Sequence, residues 1–261
     1  MRNDSVICLG VGDGWPSADR NHSAYVYRLG NACFVLDAGE PVCRAYKLSG
    51  LSFDAPEAIV LSHLHADHFG GLLMLLQGMW VEGRTKPLRL YLPAHALEPV
   101  RAVLKEATLY QPLLPYKLHL RPLRAGKPIR IGEVKITPFE STHLVELEKR
   151  RGLKPTRRLV SYLFLIESRG LRIGHSSDLG SPDDLRVLLD KPLDLLICEL
   201  AHFTPQQVCA VLSGQKIKRV AFVHLARSYW SALPATRKLL ARLLPDIPHC
   251  VPSDGEVITL G

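Results

Sequence analysis

Apolar and polar positions along the chain follow two periods. VICLGVG, AYVYRLG and ACFVLDAG carry β-branched or aromatic residues in short runs closed by glycine, which predicts three strands in an antiparallel start. AIVLSH reads as a buried strand, whereas FGGLLMLLQGMW is too long and too evenly apolar for one strand and predicts a helix. LRLYLP predicts another strand and Ala94 to Tyr110 a helix. KLHLRPL, KPIRIG, VKITPFEST, SYLFLIES and LRIGHSSD then predict a second series of strands. The tail repeats strand and helix: DLLICEL, TPQQVCAVLSG, RVAFVHL, a helix around Ser231 to Leu244 and a closing EVITL. The expected architecture is α/β (α+β), a four-layer αβ/βα sandwich of two mixed β-sheets flanked by helices. No repeat, low-complexity segment or linker divides the sequence, so residues 1–261 are read as one domain.

Composition narrows the class. With 261 residues, 47% of them hydrophobic, the chain can bury a substantial core. No run approaches the eighteen or so apolar residues of a membrane span, and MRNDSVICLGVG lacks the features of a secretory leader. The expectation is a cytoplasmic protein without a membrane partner. Six scattered cysteines form no CxxC pair and read as reduced thiols, with Cys8, Cys33 and Cys198 inside apolar runs. A net charge of +8 favours anionic partners. The densest basic stretch, Glu148 to Arg158, either lines an anionic substrate or is a solvated loop.

The chemistry concentrates in His63-Leu64-His65-Ala66-Asp67-His68, four candidate ligands within six residues on a strand-to-helix loop. Imidazole and carboxylate suit zinc and similar divalent ions, and their alternation lets one loop serve two adjacent positions.

This motif and its surroundings resemble the metallo-β-lactamase superfamily, closest to its ribonuclease Z and phosphodiesterase branch. The similar segments are Leu9 to Ser23, Val35 to Glu40, Ala58 to Leu72, Glu140 to His143, Ser176 to Asp178, Cys198 to Thr204 and Val223 to Trp230, and together they span nearly the whole chain. The resemblance implies one metal on His63, His65 and His143, a second on Asp67, His68 and His224, and Asp178 as the bridge. A carboxylate between two cations offsets their repulsion, and water shared by two such ions becomes a nucleophile near neutral pH. Two divalent ions are therefore expected, zinc by default, with manganese or iron as alternatives. By the same resemblance, an aspartate bridging at this point implies phosphodiester cleavage. Asp67, His202 and Glu199 are the implied catalytic side chains: His202 near the leaving group, Glu199 orienting it, Asp67 also a ligand. Without the resemblance, Thr204 and Pro205 read as a helix cap and first helical residue that do not require His202.

His22 and Arg227 are candidate substrate contacts, the first by its place near the expected mouth and the second as a phosphate contact. His95, His119 and His249 read as surface or loop residues and His175 as a strand residue. Gly10, Gly12 and Gly14 allow close approach to a phosphate, but no Walker lysine pattern follows.

Two features depart from the ribonuclease Z pattern. The short stretch between His143 and Ser161 leaves no room for a long projecting arm, and HLARSYW places its arginine differently. The expected partner is an anionic phosphodiester, RNA or a small or cyclic nucleotide, acted on by a homodimer. The alternatives are a lactone, thioester or β-lactam hydrolase with the same metals, and a non-catalytic RNA- or nucleotide-binding protein.

Overall fold

The computed structural model describes residues 4–152 and 158–260, and residues 153–157 of the basic stretch lie outside them. Its strands are β1 (Asp4–Gly10), β2 (Ala24–Leu29), β3 (Ala32–Leu36), β4 (Ala58–Val60), β5 (Leu88–Pro93), β6 (Leu118–Leu123), β7 (Ile129–Ile131), β8 (Val134–Ser141), β9 (Ser161–Ser168), β10 (Leu171–His175), β11 (Leu195–Leu200), β12 (Val220–Leu225), β13 (His249–Cys250) and β14 (Val257–Leu260). The α-helices are α1 (Val42–Leu48), α2 (Ala66–Phe69), α3 (Leu72–Val81), α4 (Leu97–Glu106), α5 (His143–Arg150), α6 (Pro205–Leu212), α7 (Arg227–Ser231) and α8 (Leu233–Leu243).

Two seven-stranded sheets form, in the orders β14-β1-β2-β3-β4-β5-β6 and β13-β12-β11-β10-β9-β8-β7. Both are mixed: β1 to β3 pair antiparallel and β3 to β6 parallel, while β7 to β10 pair antiparallel and β10 to β13 parallel. Alternation along β1, β2 and β3 divides the apolar side chains. Val6, Tyr27 and Phe34 face the core shared with the second sheet, and Ile7, Val26 and Val35 face the helical layer of α1, α3 and α4. On the second sheet Val208, Leu212 and Leu240 of α6 and α8 join the shared core. The expected two-sheet sandwich is therefore present.

Several elements differ from their sequence reading. KLHLRPL, expected in the second series, is β6 and pairs parallel with β5 in the first sheet. The apolar run after the histidine motif is broken at Gly70 and Gly71 into α2 and α3. Gly71 packs so closely that a Cβ there would lie 2.7 Å from Val42 Cγ1, a constraint of tertiary contact that periodicity does not carry. The segment after His143 begins as α5, with Glu146 in its first turn, Lys149 and Arg150 in its last, and a 2.7 Å Glu146–Lys149 ion pair. The helix expected from Ser231 begins at Leu233 and follows a separate short helix, α7. Cys8 and Cys198 are buried as expected while Cys33 is half-buried, and all six thiols are free.

The loops that follow β3, β4, β8, β10, β11 and β12 meet on one rim of the sandwich. Side chains far apart in sequence converge there.

Candidate metal centre

His63 stands just beyond β4, buried, and His65 immediately precedes the short helix α2 that carries Asp67 and His68. His143 opens α5 directly after β8, and Asp178 lies in the turn after β10. His224 sits within β12, where a register shift against β11 and a φ of 48° turn its imidazole toward the others. The structure gathers these into two donor sets, His63, His65, His143 and Asp178, and Asp67, His68, His224 and Asp178.

The separations suit divalent ions. In the first set His143 Nε2 lies 3.1 Å from His65 Nδ1, and Asp178 Oδ2 lies 3.7 Å from His63 Nε2 and 3.6 Å from His143 Nε2. In the second, Asp178 Oδ1 is 3.0 Å from His68 Nε2 and 3.4 Å from His224 Nε2, and Asp67 Oδ2 is 3.6 Å and 3.7 Å from the same nitrogens. Ligands about 2.0–2.1 Å from a tetrahedral ion stand roughly 3.3 Å apart. One Asp178 oxygen thus faces each set. His63 Nε2, His68 Nε2 and Asp178 Oδ1 are buried with no hydrogen-bond partner, a cost that a bound cation removes.

Partners behind the rings set the tautomers. Ser62 donates its N–H to Asp37 Oδ1 at 2.7 Å and its hydroxyl to Asp37 Oδ2 at 2.8 Å. Ser62 Oγ is then left to accept from His63 Nδ1 at 3.0 Å. His68 Nδ1 donates to Asp37 Oδ2 at 2.8 Å, and His224 Nδ1 pairs with Ser23 Oγ at 2.9 Å. In this arrangement His63 and His68 keep their Nε2 lone pairs for an ion, and the Ser23 hydroxyl holds the His224 ring in place.

Electrostatics agree. Burial, followed by the neighbouring His68, holds His63 well below the ordinary histidine range, and burial brings His143 down to about 4. Burial works against ionisation of Asp178, but His224 and His68 outweigh it and keep the carboxyl well below its usual value. Burial also opposes a charge on His68, yet Asp178 and Asp37 outweigh it and raise its pKa well above the ordinary histidine value.

Beside the first set, His202 packs against His143 with ring centroids 4.6 Å apart, and its Nε2 is 3.9 Å from Asp178 Oδ2. Glu199, buried, accepts from His202 Nδ1 at 2.8 Å and from the backbone N–H groups of Leu179, Ala201 and His202. Burial lowers the His202 pKa, but the Glu199 carboxylate prevails and brings it to about 9. Thr204 caps α6 in a capping box with Gln207, and Pro205 takes the first helical position.

The remaining sequence candidates fall outside the two donor sets. His22 is fastened to the Asp13 carbonyl by Nδ1 at 2.7 Å, and Arg227 stacks 4.5 Å above the Trp15 ring. Sequence reasoning passed over Asp37, Ser62 and Ser23 as positioning residues, although VLDAGE ends a strand in an acid. It also missed Asp184. That carboxylate accepts from the Thr142, Gly180 and Ser181 N–H groups, tying the turn of His143 to the turn of Asp178. Where those turns cross, a Cβ on Gly180 would lie 2.2 Å from the Thr142 carbonyl carbon, so only glycine fits.

A two-sheet αβ/βα sandwich with a histidine and aspartate centre on its rim defines a class, and the family model described as beta-lactamase superfamily domain matches residues 33–225. The chain belongs to the metallo-β-lactamase superfamily, a family of metal-dependent hydrolases, and within it is similar to ribonuclease Z. Ribonuclease Z of Archaeoglobus fulgidus is 31% identical over 273 residues, covering 86% of this chain and 88% of that protein. The metallo-beta-lactamase fold protein YhfI from Bacillus subtilis shares the fold with a TM-score of 0.78 at 17% identity, over 98% of each chain. Human tRNase Z, short form, superposes with a TM-score of 0.74 at 20% identity, over 98% of this chain and 99% of that one.

Proposed function

We propose that residues 1–261 form one hydrolase domain, a binuclear phosphodiesterase, zinc-dependent by default, that cleaves RNA or a smaller phosphodiester. The observation that carries this reading is the Asp178 carboxylate, which offers one oxygen to each donor set. His63, His65 and His143 would hold one ion, Asp67, His68 and His224 the other, and Asp178 would bridge them. The ions supply Lewis acidity and activate water near neutral pH.

The protein's own groups do the rest. Asp178 offsets the repulsion between two cations in a buried site. Asp37 and Ser62 hold His68 and His63 in the ligating tautomer, and Ser23 orients the His224 ring. Glu199 fixes His202 with Nε2 toward the centre, where it donates a proton to the departing alkoxide oxygen. The net positive charge draws an anionic substrate. Among the described residues no helix is long and apolar enough to cross a membrane. We read the protein as a cytoplasmic homodimer, and exposed Leu48, Met74 and Val81 on α1 and α3 offer apolar surface for a second copy.

The test is metal analysis of the purified protein together with turnover of bis(p-nitrophenyl) phosphate after zinc or manganese supplementation. About two ions per chain and turnover that His65→Ala and Asp178→Ala both abolish support the reading. No divalent ion, or turnover only of lactones, thioesters or β-lactams, overturns it.

A further inference from the structure

We propose that Trp15, backed by Arg227, is a stacking platform for a nucleobase, so that the protein selects phosphodiesters carrying a nucleoside beside the bond that is cut. The inference rests on the phosphodiesterase reading and adds its specificity element.

Trp15 is 52% exposed although it is among the largest apolar side chains, while Trp230 is buried. Its place relative to the centre is fixed from two sides. Gly14 lies so close to Asp67 that an added Cβ would sit 3.2 Å from Oδ2, so the indole begins one residue from a carboxylate of the second donor set. Arg227 begins α7, three residues beyond His224, and its guanidinium carbon lies 4.5 Å from the Trp15 ring centroid. A guanidinium over the ring at that distance covers one face of the indole, and the residue still exposes half of its surface. Arg227 thereby sets a positive charge beside the indole, three residues from His224.

The loop that presents Trp15 is pinned on both sides. Asp254 accepts from the Val11 and Asn21 N–H groups at 3.0 and 2.6 Å, and Asn21 Nδ2 donates to the Leu9 carbonyl at 2.8 Å. His224 donates its own N–H to the Val11 carbonyl at 2.7 Å, which links this loop to a metal-binding strand. A platform already held in place orders little on binding. Every base has a π-face, so stacking here is tolerant of base identity while rejecting esters that lack a base.

The experiment compares thymidine 5′-(p-nitrophenyl phosphate) with methyl p-nitrophenyl phosphate, diesters with one leaving group that differ in the nucleoside. The zinc-supplemented wild type is expected to favour the thymidine ester in kcat/KM. Trp15→Ala should cut that preference roughly 5- to 100-fold, and Trp15→Phe should keep most of it. A second readout needs no turnover: adenosine 5′-monophosphate should quench the indole emission of the wild type but not of Trp15→Phe, and ribose 5-phosphate should quench neither. Equal use of the two esters by the wild type, or a preference unchanged in Trp15→Ala, overturns the platform and leaves the phosphodiesterase reading standing. Failure to cleave either ester removes both.

Discussion

Replacing Asp37 by asparagine isolates the role of a buried carboxylate that touches no substrate. Asp37 is fully buried with φ 58°, a left-handed conformation that asparagine also tolerates, so backbone and volume stay the same. Three donors converge on the carboxylate: the Ser62 N–H at 2.7 Å, the Ser62 hydroxyl at 2.8 Å and His68 Nδ1 at 2.8 Å. An amide offers one acceptor oxygen. If that oxygen keeps the Ser62 N–H, the amide NH2 faces His68 Nδ1 and donates to it, which moves the ring proton to Nε2. His68 Nε2 then loses the lone pair aimed between Asp178 and Asp67. Changes to such outer partners cost about 10- to 100-fold in metal affinity or activity, about 1.4–2.7 kcal/mol. Competition with a chromophoric chelator reads the affinity, and the metal-free protein's melting temperature serves as control. Asp37→Asn should lose affinity at the second site with little change in apo stability, whereas Asp37→Ala should also lower apo stability by stranding three donors. Wild-type affinity for two ions in a folded Asp37→Asn protein would refute the argument.

Gly39 lies beneath the metal-binding loop, and a Cβ there would stand 2.2 Å from the Asp67 carbonyl oxygen. Gly39→Ala should therefore destabilise the protein by about 1–3 kcal/mol, a drop of several degrees in a calorimetric melt, and an unchanged melt would show that the loop yields freely. His202→Ala should lower kcat roughly 100- to 10,000-fold on a diester with an alkoxide leaving group and far less on bis(p-nitrophenyl) phosphate, whose nitrophenolate departs without a proton. Equal losses on both would argue against proton donation. Chelation should lower the melting temperature and zinc should restore it, because ions at 100 times their Kd add about 2.7 kcal/mol to the folded state alone. Identical melts before and after chelation would mean that the two donor sets hold nothing.

Local pattern determined much of this protein. Strand alternation in VICLGVG, AYVYRLG and ACFVLDAG survives in the structure because each strand carries its apolar residues on both faces of a sheet buried on both sides. The spacing of His63, His65, Asp67 and His68 was legible because a short loop and the one-turn helix α2 that follows it hold all four, and the Thr204 and Pro205 cap because capping is a local hydrogen bond. Which sheet β6 joins was not legible, since pairing partners are chosen by neighbours distant in sequence. Asp37, Ser62 and Ser23 were hidden for the same reason: a serine or an acid at a strand end looks like any turn residue until folding sets an imidazole beside it. Asp184 forms a local capping box with Ser181, and only its bond to the Thr142 N–H depended on the fold. The contact of Arg227 with Trp15 likewise exists only because the sandwich brings a loop and the start of α7, more than two hundred residues apart, together.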